Sequence, residues 1–145
     1  MRKFKTELES MTEAYFKYMR QDAYISDRDD EDIEGIKVPE DLQWDDMHEE
    51  SQDKIKAECK SFYEKIWPMF EKEESNLDAK RFGELFYLNR CESGIGFWDN
   101  YGEDWSDQLA KIASEEASLY HKVYLYMGDD GIGYYWSECS ISSEI

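Results

Sequence analysis

The residues best equipped for chemistry in this chain are its carboxylates. Asp129-Asp130 is an adjacent pair, and with Asp99 it has the makings of a metal site or an acid–base site. The same pair opens Asp129-Asp130-Gly131, and Asp-Gly is the dipeptide that supplies the positive φ of a tight hairpin turn. Asp27-Arg28-Asp29-Asp30-Glu31-Asp32 superficially follows a calcium loop. Its sixth position is Asp32 where such a loop needs Gly, and its twelfth is Val38 where it needs Glu, so an EF-hand is excluded.

The acid is also unevenly placed. Between Asp22 and Asp53 stand fourteen Asp and Glu against two basic residues, Arg28 and Lys37, a formal −12 out of −18 for the 145-residue chain. Such a field opposes compaction by self-repulsion, yet it steers basic partners inward and repels nucleic acid and anionic membranes. Carboxylates spread over a surface at phosphate-like spacing can occupy the basic groove of a nucleic-acid enzyme. Duplex DNA carries one charge per about 1.7 Å of its axis. The candidate contact residues in this stretch are Asp27, Asp29, Asp30, Glu31, Asp32, Glu34, Asp45 and Asp46. A second acidic-aromatic cluster, Asp99, Glu103, Asp104 and Trp105, suits a protein interface, where Trp and Tyr are enriched. Helix capping by Asp104 accounts for part of that cluster.

Other reactive side chains form no recognisable set. His48 and His121 lack a Cys or Ser partner at a useful spacing and read as surface histidines. Cys59, Cys91 and Cys139 form no CxxC pair and read as reduced thiols. Arg90 is conspicuous in an acidic half, and an ion pair with Asp99 or another nearby acid is its expected use. There is no P-loop, GxSxG, HExxH or dinucleotide fingerprint. No cofactor is implied, and no apolar run is long enough for a membrane span.

The elements that must position these residues follow from periodicity. Phe4, Leu8, Met11, Tyr15, Tyr18 and Met19 put a helix at about 3–21. An acidic loop follows at about 22–46, with a possible short strand at Ile36–Val38 and anchors at Trp44 and Met47. Ile55, Cys59, Phe62, Tyr63 and Ile66 define a second helix from about 46 to 67, broken or kinked at Pro68. Asn76 or Asp78 caps a short helix ending at Gly83. Leu85–Leu88 and Ile95–Trp98 read as one β-hairpin, Trp105 to about Tyr120 as a helix, and Val123–Tyr126 with Ile132–Trp136 as a second hairpin. The expected fold is a single α+β domain over 1–145, with N-terminal helices packed on a small, mostly antiparallel sheet, in the order α-α-β-β-α-β-β. Its core should contain Leu8, Tyr15, Ile55, Phe62, Ile66, Phe86, Phe97, Leu109 and Leu125.

The C-terminal half carries linked motifs: Phe86-Tyr87-Leu88-Asn89-Arg90, then Gly94-Ile95-Gly96-Phe97-Trp98-Asp99, then a helix and Tyr126-Met127-Gly128-Asp129-Asp130-Gly131. Over about residues 60–131 it resembles a family of small bacteriophage proteins with the pattern F-x-L-T-R-N-x-H-G-x-G-F-W-D followed by Y-x-G-D-D-G. The chain departs from that pattern at Asn89, for Thr, and at Ser93, for the His before glycine. The family has no established activity, so the resemblance implies a phage origin and not a reaction.

Charge placement and this resemblance together lead to one expectation. The chain is a non-enzymatic inhibitor in the host cytoplasm that binds a basic surface of a host nucleic-acid enzyme, by DNA mimicry, as an anti-restriction, anti-CRISPR or anti-repair protein. The alternative is a small metal-dependent enzyme or metal-binding protein using Asp99, Asp129 and Asp130. A third reading is an immunity-type inhibitor of a basic toxin.

Overall fold

A computed structural model describes residues 6–29, 35–91, 97, 105–120 and 122–137. Helices come first and an antiparallel hairpin last, so the fold is α+β with its helices N-terminal to its strands.

Helix α1 spans Glu7–Asp29. Met11, Tyr15 and Met19 recur at four-residue steps and are buried along one face. Leu8 is half-buried against the same core. The helix runs eight residues beyond the expected end at Gln21, so the first part of the acidic stretch is helical and not loop. Ile36–Val38 forms no strand. A 3-10 turn at Trp44–Asp46 then leads into the next helix. Trp44 packs edge-on against Phe16 at 5.3 Å and Met47 is buried, so both anchor the segment as expected.

Helix α2, Glu49–Lys72, passes through Pro68 without stopping. Proline this close to a helix end removes one donor, and burial of Trp67 and Phe70 on either side offsets that loss. The chain then turns at Glu74, which has φ of 57°.

Helix α3, Ala79–Arg90, corrects the expected first hairpin. Asp78 caps it, accepting from Arg81 N at 2.7 Å. Gly83 does not end this helix. A Cβ there would lie 2.2 Å from the Met11 carbonyl oxygen, so glycine permits a close crossing of α1 and α3. Leu85–Leu88 is therefore helical. A four-residue apolar run is compatible with a buried strand or a buried helix turn. The deciding pattern is Phe82, Leu85, Phe86 and Arg90, which share one buried face. In the paired run Phe97 is a buried turn residue, while Ile95, Gly96 and Trp98 lie outside the described residues.

Helix α4 is Asp107–Ser118, and its cap is Ser106, which accepts from Leu109 N at 3.1 Å. Ser106 in turn donates its N–H and hydroxyl to the Glu73 carboxylate at 2.8 and 2.7 Å, tying the start of α4 to the end of α2. Asp104, the expected cap, lies outside the described residues. Strands β1, Val123–Met127, and β2, Gly133–Ser137, pair antiparallel with Leu125 opposite Tyr135, as the sequence predicts. Gly131 turns between them at φ +78°.

The core is an aromatic stack on α2 and α3. Phe62 lies flat on Phe86 at 4.2 Å and near-parallel to Phe82 at 5.2 Å. Phe97 and Tyr120 close the sides of Phe62. Ile55, Ile66, Leu109 and Leu125 complete the set of expected core residues that are buried.

Candidate functional site

Alternation along β1 and β2 gives the hairpin two unlike faces, because successive strand residues point to opposite sides. Leu125, Tyr135 and Ser137 point inward and are buried. Tyr135 N donates to Ser51 Oγ at 2.9 Å, His48 N donates to Gly133 O at 2.8 Å, and Lys54 Nζ donates to Ser137 O at 3.3 Å. Three bonds thus dock the hairpin on the N-terminal half of α2.

Inside that junction lies a polar cluster. Arg90, on α3, has a fully buried side chain that pairs with the equally buried Glu58 of α2. Its Nη1 also donates to the hydroxyls of Tyr15 and Tyr135, both at 3.1 Å. Its Nη2 donates to Tyr120 O at 2.6 Å and Ser137 Oγ at 2.9 Å. Tyr135 donates to Glu58 Oε1 at 2.6 Å, and the Tyr15 and Tyr135 hydroxyls lie 2.8 Å apart. The guanidinium also sits over the rings of Phe86 and Tyr120. Burial works against its charge, but the oxygens of Tyr15, Tyr135 and Glu58 outweigh that penalty, and Arg90 is held protonated above its usual range. Burial pushes the Tyr15 and Tyr135 hydroxyls up in pKa, so both stay neutral donors. Among the described residues, Glu58 Oε2 has no hydrogen-bond partner. One cation therefore ties α1, α2, α3 and β2 together.

An ion pair of Arg90 with Asp99 or another nearby acid was expected; among the described residues the acid is Glu58, and Asp99 lies outside them. The signal was present in the sequence: Glu58 falls three residues after Ile55 and four before Phe62, on the apolar stripe of α2. An acid at such a position needs a buried partner. The cluster is closed to solvent, and its role is to hold elements in place.

The outward hairpin face is aromatic. Tyr124 pairs with Trp136 across the strands at 5.4 Å, and Tyr126 stacks on Tyr134 at 5.6 Å. His48 continues the row, stacked on Tyr134 at 5.2 Å. It also caps α2, accepting from Glu50 N at Nδ1. The sequence reading took these aromatics as strand formers and missed their shared exposed face. Alternation together with the register would have exposed it.

Of the described acids, Asp22 and Asp27 share a recess with Tyr124, and Glu50 and Asp53 share one with Tyr134. Asp27 and Asp29 stand in the last turn of α1, where the helix dipole disfavours negative charge by about 0.3–1 kcal/mol for each acid. Val38 N donates to Asp27 at 2.8 Å, and Arg28 pairs with Asp29 at 3.1 Å on the surface. Asp45 and Asp46 are exposed in the 3-10 turn, where Asp46 accepts from Gln43 N. Exposed Glu40, Asp41, Glu49, Glu50 and Asp53 extend the belt into α2. Asp30, Glu31, Asp32, Glu34, Asp99, Glu103 and Asp104 lie outside the described residues. Trp105 is a correction. It is 5% exposed, edge-on to Phe70 at 5.3 Å, and donates Nε1–H to Phe97 O, so it belongs to the core and not to a contact surface.

Asp129 and Asp130 sit in the hairpin turn. Asp130 accepts from the Tyr134 hydroxyl at 2.7 Å and from Ile132 N at 3.0 Å, and these two bonds lower its pKa. Its carboxylate is committed to closing the turn. Among the described residues no group of three His, Cys, Asp or Glu is placed to hold a metal ion. Burial pushes the Cys59 thiol up to about 12, and Cys91 donates its thiol to Leu88 O at 3.3 Å. An apolar groove of about 650 Å³ between α1 and α2 is floored by Leu8, Phe16, Trp44 and Ala57, with Glu9, Glu13, Lys56 and Lys60 also lining it. Among the described residues no helix is long and apolar enough to cross a membrane. No protein-family model, curated protein or solved structure matches the chain.

Proposed function

We propose that this protein is a non-catalytic inhibitor that covers a basic surface of a nucleic-acid enzyme, with its carboxylates standing in for phosphates. The observation that carries the reading is the placement of the acid. Of the formal −18, −12 falls between Asp22 and Asp53. The described acids of that stretch are exposed or half-exposed from the end of α1 through the start of α2. Asp27 and Asp29 occupy a helix end where carboxylates cost stability, and a binding role explains that cost. The resemblance to small bacteriophage proteins supplies the setting, an anti-restriction, anti-CRISPR or anti-repair protein acting in a host cell.

The test is a panel of purified restriction, CRISPR and repair nucleases assayed with the full chain. At least one should be inhibited, duplex DNA should relieve the inhibition competitively, and it should weaken as salt rises from 0.05 to 0.5 M, as expected for about 10 Å screening at 0.1 M. Changing Asp29, Asp30, Glu31 and Asp32 together to Asn or Gln should abolish most of it. Inhibition that persists in that variant, or that DNA does not relieve, would count against mimicry. Salt-sensitive inhibition of a basic toxin without DNA competition would favour an immunity-type role instead.

A further inference from the structure

We infer that the outward face of the hairpin, formed by Tyr124, Tyr126, Tyr134 and Trp136, is a platform for arginine side chains of a protein partner. Exposed aromatic residues scattered singly need no explanation. These four are not scattered. The register sets Tyr124 opposite Trp136 and Tyr126 opposite Tyr134, so the rings form two adjacent cross-strand pairs. Tyr124, Tyr126 and Trp136 remain 52, 49 and 45% exposed, although each strand contributes a fully serviceable inner face to the core. The ladder is also stiff: Tyr134 is held by Asp130 on one side and by His48 on the other. Three hydrogen bonds between the hairpin backbone and Ser51, Lys54 and the capping residue His48 fix the inner face to the start of α2. A rigid aromatic surface loses little entropy when it binds.

The chemistry of the occupant follows from the flanks. Beside β1, Tyr124 shares a recess with Asp22 and Asp27, and Lys122 is the basic residue there. Beside β2, Tyr134 lines a recess of about 540 Å³ with the exposed carboxylates of Glu50 and Asp53, together with His48 and Lys54. Lys54 is engaged with Ser137 O. Aromatic faces bordered by carboxylates on both sides complement a guanidinium, which is planar and weakly hydrated, stacks on rings and pairs with carboxylates. Single-stranded nucleic acid also stacks on aromatic ladders, but its binding sites line the backbone with positive charge, and here the borders are acidic. A second copy of this chain would bring the same acidic borders face to face across a twofold axis.

The inference rests on the proposed basic partner but assigns it a second contact, made by rings and not by charge. The test uses the full chain with hexa-arginine and hexalysine peptides of equal charge, titrated at 0.1 M salt and followed by NMR shifts of the hairpin amides. Hexa-arginine should bind about two- to fivefold tighter than hexalysine, because a planar, weakly hydrated guanidinium stacks on the rings better than a strongly hydrated ammonium does. The double variant Tyr126→Thr/Trp136→Thr should bring the ratio close to one, while Tyr126→Phe/Trp136→Phe, which keeps the rings, should preserve it. Equal affinities in the parent, no hairpin shifts with either peptide, or an arginine preference that survives in the threonine variant would overturn the platform. So would binding of a twelve-residue oligothymidylate that the threonine variant loses, because the face would then belong to nucleic acid. The quadruple acidic variant separates the two proposals: it should weaken both peptides alike and leave their ratio intact. A ratio that persists while nuclease inhibition is absent would remove mimicry and keep the platform.

Discussion

Arg90 and Glu58 illustrate how a charge can be costly and still indispensable. Taking both out of water carries a desolvation penalty of several kcal/mol per ion, which their attraction and added hydrogen bonds must offset. Removing one partner leaves the other buried and uncompensated. Arg90→Met should therefore cost about 3–5 kcal/mol in urea unfolding, and Glu58→Leu/Arg90→Met together should cost much less than the sum of the singles. A loss below about 1 kcal/mol for Arg90→Met would mean that the pair does not organise the junction. The same cluster predicts alkaline sensitivity. Burial raises the folded pKa values of Tyr15, Tyr135 and Cys59 above the ordinary 10.0 and 9.0. A raised folded value means that the folded state holds its protons more tightly. The contribution to stability is then complete below those ordinary values and is lost as pH rises through them toward the folded values. Melting temperatures should hold through neutral pH and fall steadily above about pH 9–10. A flat profile to pH 11 would contradict the buried assignments. In the same range Cys59 should resist thiol reagents until the protein unfolds.

At the scale of elements, the β1–β2 hairpin was legible because two signals agreed, period-two alternation and a Gly-Asp-Asp-Gly turn. The Leu85–Leu88 run offered no period, and Gly83 just before it looked like a helix end. Its actual meaning lay in another helix. A Cβ on Gly83 would strike the Met11 carbonyl, a contact no local pattern encodes. The helix ends were misplaced for a related reason. Hydrogen bonds from Tyr87 to Asp22 and from Val38 N to Asp27 hold the acidic end of α1, and burial of Trp67 and Phe70 carries α2 past Pro68, where local propensity alone argues for stopping. Gly83→Ala gives a test whose sign decides. Helix propensity alone would make it stabilising by about 1 kcal/mol. Forcing α1 and α3 apart should instead destabilise by about 1–3 kcal/mol. Chemical denaturation of the variant distinguishes the two, and a gain in stability would mean that the crossing is looser than the close approach of Gly83 to Met11 implies.

For the molecule as a whole, the division of labour is between an aromatic interior built around one buried ion pair and a strongly charged skin. The interior was largely visible from the apolar stripes. The skin was visible as composition, but its arrangement beside the hairpin was not, because belt and ladder are far apart in sequence and meet through α1 and α2 only once the chain is folded. That arrangement has a thermodynamic signature independent of any partner. Like charges packed along Asp22–Asp53 repel one another more in the folded chain than in the expanded one, so the belt should lower stability at low ionic strength. Added salt shortens the screening length from about 30 Å at 0.01 M to about 10 Å at 0.1 M, and the repulsion should fade over that range. The parent protein should therefore melt at a higher temperature as sodium chloride rises from 0.01 to 0.2 M. Replacing Asp29, Asp30, Glu31 and Asp32 with Asn or Gln should raise the melting temperature at 0.01 M and flatten its dependence on salt. Both trends have the same origin, so they must appear together. A variant that melts earlier than the parent at low salt would show that these carboxylates make contacts the fold needs, and the belt would then be structural before it is a binding surface.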